Sequence, residues 1–435
     1  MRALCAATLL ALVGCDWEAA RRGACLRVDG GCAETDAGTQ DAGTQDAGTQ
    51  DAGTQDAGAM DAGSSDAGPT VDAGSIFRVI DAGPVEPIGL FPNAARNECW
   101  FLGATDAGSV MGRIGADGGL GVFGVVNTPP GVATAGYADW DYAPDLTILS
   151  QEGSDSVLSF YRSGSDVPVT TSTWPGVQGT LLSMFTSSDG GSLYDSVWSD
   201  SQGYRQDFVR HASTPPMTLV NETCVGLRFH DIEVLGPLGN DSAVLGLSAP
   251  ADNCPFLQGN AGTSVERITS DGLRAMVLVD STVHKIVVGS TGTAGAAPFA
   301  AWATSPTSIV VQGLALDAGL SLDPARRSVF QLFGGNSEVG DLVKDSTNLV
   351  FTGIGSGVVR LDGGVMGILP TEPTAFIAQV SPTPWVAALG PANTAGRSRI
   401  AAVELTGGLI LVMWQLPDGQ LAFARVATNG FIQPW

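Results

Sequence analysis

The sequence predicts an all-β fold of about seven four-stranded units in series, preceded by a disordered linker. Three observations predict it. Strand-type runs dominate from residue 84 to the C-terminus, turn signals recur there at nearly constant spacing, and residues 36–74 form a polar repeat with almost no large apolar side chain.

The strand runs are β-branched or aromatic and lie beside Gly, Asp, Asn, Ser or Pro clusters. Examples are Leu146-Thr147-Ile148-Leu149, Val157-Leu158-Ser159-Phe160-Tyr161, Lys285-Ile286-Val287-Val288, Ser308-Ile309-Val310-Val311 and Leu349-Val350-Phe351. No stretch has convincing helical periodicity; Asp323-Pro324-Ala325-Arg326-Arg327 reads as one isolated turn.

Turns recur at Asp271-Gly272-Leu273, Asp317-Ala318-Gly319-Leu320, Asp362-Gly363-Gly364-Val365 and Thr406-Gly407-Gly408-Leu409, and the apolar residue after glycine steps by 47, 45 and 44. Pro130, Pro175 and Pro216 step by 45 and 41, and a strand–turn–strand pattern repeats from Thr147 to Tyr161 and from Ser196 to Val209. Asp-Gly and Gly-Gly supply the positive φ of tight hairpins. A period near 45 residues with room for four short strands is the size of one propeller blade, so residues 84–435 resemble β-propeller proteins over most of the chain. That resemblance implies a closed ring, and closing it requires the two ends of the body to pair. The expected partners are Ile76 to Ile80, or the strand around Trp100-Phe101-Leu102, with Leu409 to Trp414 and Leu421 to Val426.

The N-terminus carries a different signal. Met1-Arg2 precedes an apolar run from Ala3 to Val13, too short to span a bilayer and long enough for a signal-peptide core. Leu12-Val13-Gly14-Cys15 then resembles the lipobox of bacterial lipoproteins. The resemblance implies removal of residues 1–14 and acylation of Cys15, which makes the lipid bilayer a partner and the bacterial cell envelope the address, facing the periplasm or the cell surface. Residues 15–83 then form the lipidated N-terminus and tether, and 84–435 the ectodomain. Residues 36–58 read DAGTQ four times and then DAG, a composition unable to offset the entropy of ordering. A flexible tether of some sixty residues reaches roughly 45 Å, and more when its own charge extends it.

The formal net charge is −23, and an acidic surface repels nucleic acid, which is excluded as a partner. Beyond Cys5 and Cys15, five cysteines remain. Outside the cytoplasm disulfides are allowed. Cys25 with Cys32, and Cys224 with Cys254, are candidate pairs, and Cys99 is left as a buried thiol; other pairings stay open.

Chemical motifs are absent. There is no Gly-x-Ser-x-Gly elbow, phosphate loop or His-Glu-x-x-His, and no cysteine or histidine pair has zinc spacing, so no catalytic residue, metal or cofactor is assigned. His211, His230 and His284 each stand alone, and Gly353-Ile354-Gly355-Ser356-Gly357 reads as a hairpin turn because no helix follows it. Two stretches mix aromatics with carboxylates, as sugar-binding loops do: Tyr137, Asp139, Trp140, Asp141, Tyr142 and Asp145, then Tyr194, Asp195, Trp198 and Asp200. The sequence is therefore read as a non-enzymatic envelope module for an unknown protein or glycan partner. The alternatives are a carbohydrate-binding or carbohydrate-active propeller using those acids, and a structural spacer.

Overall fold

A computed structural model describes residues 77–435 apart from stretches inside the connections, among them all of 127–131, 138–145, 175–179, 187–191, 200–203, 212–216, 224–230, 239–241, 250–261 and 270–273. Cys15, Cys25, Cys32, Cys224, Cys254 and the DAGTQ repeat lie outside the described residues.

The chain is a β-propeller of seven antiparallel sheets. Blade 1 is β2 (Glu86–Pro92), β3 (Glu98–Thr105), β4 (Gly108–Gly115) and β5 (Leu120–Val126). Blade 2 is β6 (Val132–Tyr137), β7 (Leu146–Glu152), β8 (Asp155–Tyr161) and β9 (Thr170–Trp174); blade 3 is β10 (Thr180–Thr186), β11 (Ser192–Ser199), β12 (Tyr204–His211) and β13 (Met217–Thr223). Blade 4 is β14 (Asp231–Leu238), β15 (Ser242–Ala249), β16 (Gly262–Thr269) and β17 (Arg274–Asp280). Blade 5 starts with β18 (Ile286–Thr291), β19 (Ala297–Ser305), β20 (Ser308–Ala315) and β21 (Ser321–Leu332), and blade 6 is β22 (Glu338–Leu342), β23 (Leu349–Gly355), β26 (Thr374–Ser381) and β27 (Trp385–Pro391). Blade 7 holds β28 (Ala401–Leu405), β29 (Leu409–Gln415) and β30 (Leu421–Ala427). The first strand of each blade touches the first strand of the next, from β2 round to β28 and back to β2.

Middle strands are buried on both faces because each blade is sandwiched between two others. That is why they lack polar–apolar alternation and read as continuous apolar runs, such as Leu-Ile-Leu-Val-Met-Trp in β29 and Leu-Val-Phe-Thr-Gly-Ile in β23. The hydrophobic clusters lie at the seams. One joins blades 5 and 6 through Phe330, Phe351 and Phe376; another joins blades 7 and 1 through Phe423, Met413, Phe101 and Ile114. Cys99 sits in this last cluster as a free, fully buried thiol whose pKa burial pushes up, as expected of the leftover cysteine.

The ring closes with a strand from the other end of the body. β1 (Arg78–Ile80) pairs antiparallel with β30, Arg78 opposite Phe423 and Ile80 opposite Leu421. β31 (Ile432–Gln433) pairs further along the same edge, opposite Val426 and Arg425. Of the two expected closures the Ile76–Ile80 segment supplies the partner, so the ring begins upstream of residue 84, inside the segment assigned to the tether. Trp435 locks the joint: its indole N–H donates to the Phe423 carbonyl at 3.2 Å, and the guanidinium groups of Arg78 and Arg425 lie 5.1 and 5.4 Å from its ring centre. The Gln415 side-chain amide donates to the Val85 carbonyl at 2.7 Å, binding blade 7 to the connection that leads into blade 1.

Four readings of the sequence are corrected. The first strands start at Glu86, Val132, Thr180, Asp231, Ile286, Glu338 and Ala401, so the repeat lengthens from 46 residues (86 to 132) to 63 (338 to 401) instead of holding near 45. Of the four turns, 270–273 and 316–320 both join third to fourth strands, Asp362-Gly363 lies in an inserted hairpin, and Thr406–Gly408 joins a first to a second strand. Turn chemistry marks any tight reversal, whichever pair of strands it joins. Asp323–Arg327 is no helical turn but a bulge in β21. The register jumps from Gln312–Arg327 to Gly313–Asp323, Pro324 cannot donate to the ladder, and the Asp323 carboxylate accepts from the Ala325 N–H at 3.0 Å and from Arg326 Nε at 2.7 Å. Gly353 to Gly357 is the end of β23 and the corner of the insertion, not a hairpin turn.

Among the described residues four-strand regularity breaks twice, by the short β31 on the edge of blade 7 and, on a larger scale, by an insertion. Between β23 and β26 the chain forms a hairpin, β24 (Val358–Leu361) and β25 (Gly364–Ile368), which reaches back and extends blade 5 to six strands through β21. Asp362, at φ +48, makes its turn, and its carboxylate accepts from the Val329 N–H at 2.9 Å.

Candidate functional site

A propeller presents two rings of connections. Those joining first to second and third to fourth strands open at one end; those joining second to third strands, and one blade to the next, open at the other. Tyr137 ends β6, and the connection 138–145 carrying Asp139, Trp140, Asp141, Tyr142 and Asp145 belongs to the first end but lies outside the described residues. Tyr194, Asp195 and Trp198 lie within β11, with Asp195 opposite Met184 and Phe208, so they are sheet residues and not loop residues. Asp200 belongs to the connection 200–203 at the second end, outside the described residues. The two stretches are therefore out of phase: one is a connection of blade 2, the other runs through the second strand of blade 3.

The second end carries a polar cluster that single-residue inspection missed, where blade 4 passes to blade 5. The Asp280 carboxylate accepts from the Thr282 N–H at 2.9 Å and from the Thr282 hydroxyl at 2.6 Å. The same hydroxyl contacts His284 Nε2, which lies 3.8 Å from the other Asp280 oxygen. The Thr263 hydroxyl, at the start of β16, donates to the Thr282 carbonyl at 2.8 Å and accepts from the His284 N–H at 3.0 Å. The signal was the Asp-x-Thr-x-His spacing at the end of a strand, where an aspartate side chain can accept from the N–H two residues on and turn the chain. The cluster pins the connection between the two blades from both sides, through the Asp280 side chain and the Thr263 hydroxyl.

Partial burial alone would raise the Asp280 carboxyl, but hydrogen bonds from the Thr282 hydroxyl and N–H, and the His284 charge, outweigh it and hold the group below its ordinary value. The buried Trp302 indole N–H adds an electrostatic pull without meeting hydrogen-bond geometry. A depressed carboxylate stabilises the fold above its unfolded pKa of about 3.9 and loses that contribution as pH falls through the lower folded value. Asp280→Asn is expected to melt below the parent at pH 6 and to close on it progressively as the pH falls below about 3.9. Thermal melts across that range check the sign; a constant offset at every pH would place the effect in packing.

No family model matches this chain, and no curated protein matches it. Solved structures do. A lectin, BP39L from Burkholderia pseudomallei, aligns with a TM-score of 0.50 at 10% identity, covering 81% of this chain and 98% of the lectin. The β-propeller domain of Cps50 (Swd1) from Myceliophteria thermophila aligns at 0.49 and 10% identity, covering 80% and 97%, and Hsv2 from Kluyveromyces lactis at 0.45 and 12%, covering 81% and 98%. At such identities the likeness is one of fold.

Proposed function

We propose that this chain is an envelope-anchored, non-enzymatic β-propeller that binds or scaffolds a partner. The observation that carries the reading is the closure. The described chain joins the ring at Arg78, on the outer edge of blade 7, which is a rim position and part of neither ring of connections. An acylated Cys15 and an acidic tether supply attachment and reach. One acyl chain holds a protein to a bilayer only marginally, and stable anchoring takes two or more, as on bacterial lipoproteins.

A second reading, glycan recognition, is favoured by the mixture of aromatics and carboxylates from Tyr137 to Asp145. Aromatic faces stack on sugar rings and carboxylates accept sugar hydroxyls. Turnover of a polysaccharide that is lost on single Asp→Asn changes at Asp139, Asp141, Asp145, Asp195 or Asp200 would make the chain an enzyme and overturn the first reading.

Two measurements test the proposal together. Cys15→Ala is expected to move the full chain from the membrane to the soluble fraction, and retention on the membrane removes the anchoring claim. A thermal-shift panel with calcium, monosaccharides and envelope glycan fragments reads the second claim, because a ligand at a hundred times its dissociation constant adds about 2.7 kcal/mol of stability. A shift selects glycan or calcium recognition; a flat panel selects a protein partner or a spacer role.

A further inference from the structure

The inserted hairpin changes what the rim of blade 5 presents. Along the end of β21 and through β24, one set of side chains turns inward: Phe330, Leu332 and Val359 are fully buried in the seam with blade 6. The alternate set turns outward, and an outward face on a propeller rim is expected to be polar. Here it is not. The Phe333 N–H donates to the Val358 carbonyl at 3.0 Å, and Val358 pairs with Ile368, so these three residues form one row across the ribbon. The next row is Gln331, Arg360 and Val365. Phe333, Val365 and Ile368 are 59%, 65% and 76% exposed. Contiguous apolar surface of this kind marks interaction sites.

The charge on this face is specific too. In a chain of net charge −23, the patch carries Arg360, whose guanidinium lies 4.9 Å from the Phe333 ring centre, and exposed Arg327 stands on the same side of β21. Neither arginine forms an ion pair among the described residues, and the carboxylate at the hairpin turn, Asp362, is committed to the Val329 N–H. The surface is held rigid. Gly334 donates to the Ser356 carbonyl at 2.9 Å, Leu369 to the Gly357 carbonyl at 2.8 Å and Gly357 to the Pro370 carbonyl at 3.0 Å, so little ordering cost attends binding.

We propose that this outward face of β21, β24 and β25 docks an extended acidic segment of a protein partner, in which carboxylates meet Arg360 and Arg327 while alternating aliphatic side chains cover Phe333, Val365 and Ile368. The proposal rests on the ring being a binding module and names its surface and its partner's chemistry.

The test titrates the purified full chain against a fluorescent peptide alternating aspartate and valine, with a lysine–valine peptide as control. Saturable binding of the acidic peptide is expected, weakened at least tenfold by Arg360→Glu and by Ile368→Asp, with melting temperatures unchanged because both sites are exposed. Arg360→Glu is further expected to reverse the preference toward the lysine peptide. Absent binding, equal binding of the two peptides, or indifference to both variants overturns the proposal. So does a dimer that Ile368→Asp dissociates, which assigns the face to a second copy, and so does attachment to phosphatidylglycerol vesicles lost in Arg360→Glu, which assigns it to lipid. A thermal shift with a glycan in the absence of peptide binding refutes the patch and spares the module; failure of both removes the module as well.

Discussion

Phe423→Ala should lower the stability of the propeller by about 3–5 kcal/mol, the cost of removing a large, fully buried aromatic from a seam that cannot collapse around the void. Phe423 sits in β30 and meets Phe101 of β3 edge to face, with ring centres 5.1 Å apart, across the junction of the last blade with the first. Its backbone also carries the joint, since it stands opposite Arg78 of β1 and accepts the Trp435 indole N–H. Chemical denaturation checks the size. Phe431→Ala is the control: that ring is largely exposed and should cost no more than about 0.5 kcal/mol. Equal midpoints for Phe423→Ala and its parent would mean that this seam does not hold the ring shut.

Gly357→Ala is expected to cost about 2–4 kcal/mol, combining a left-handed backbone with overpacking. Gly357 has φ +76, and a Cβ there would lie 2.6 Å from the Gly334 nitrogen and 2.9 Å from its Cα. Neither strand can step aside, because Gly334 is bonded to Ser356 and Gly357 to Pro370. Gly363→Ala separates the two effects. It shares the positive φ, at +90, but faces open space, so only the conformational part, about 1 kcal/mol, remains. Equal losses for the two variants in denaturant melts would show that the close approach of the two backbones contributes nothing.

The architecture was legible because sandwiched strands leave a plain trace. Leu349-Val350-Phe351 and Leu409 to Trp414 are apolar without alternation, which only burial on both faces produces. Closure was legible because both ends of the body read as strands. Blade phase was not. Asp362-Gly363 and Thr406-Gly407 carry the same turn chemistry as 270–273 and 316–320 although they join different strands, and the hairpin between β23 and β26 shifts every later marker. The Asp280 cluster escaped because His284 was read singly, although Asp280 and Thr282 stand four and two residues before it, and because Thr263, the other partner, lies far off in sequence on β16. The exposed patch escaped for a similar reason. Val358 to Ile368 reads as an ordinary apolar hairpin, and only the third strand beneath it, β21, decides which side chains turn outward.

The pairing of β1 with β30 also orders events during biosynthesis. Arg78 leaves the ribosome long before Phe423, its partner, has been made. For most of translation β1 has no edge to join, and blade 1 has only blade 2 to cover it. The seam between blades 7 and 1 is thus the last to form, and it depends on contacts spanning more than three hundred residues, which slow closure. A nascent chain stalled before Leu421 would display an apolar blade 1 face on one side and an incomplete blade 7 on the other, and that open ring is the species most exposed to aggregation or to capture by chaperones.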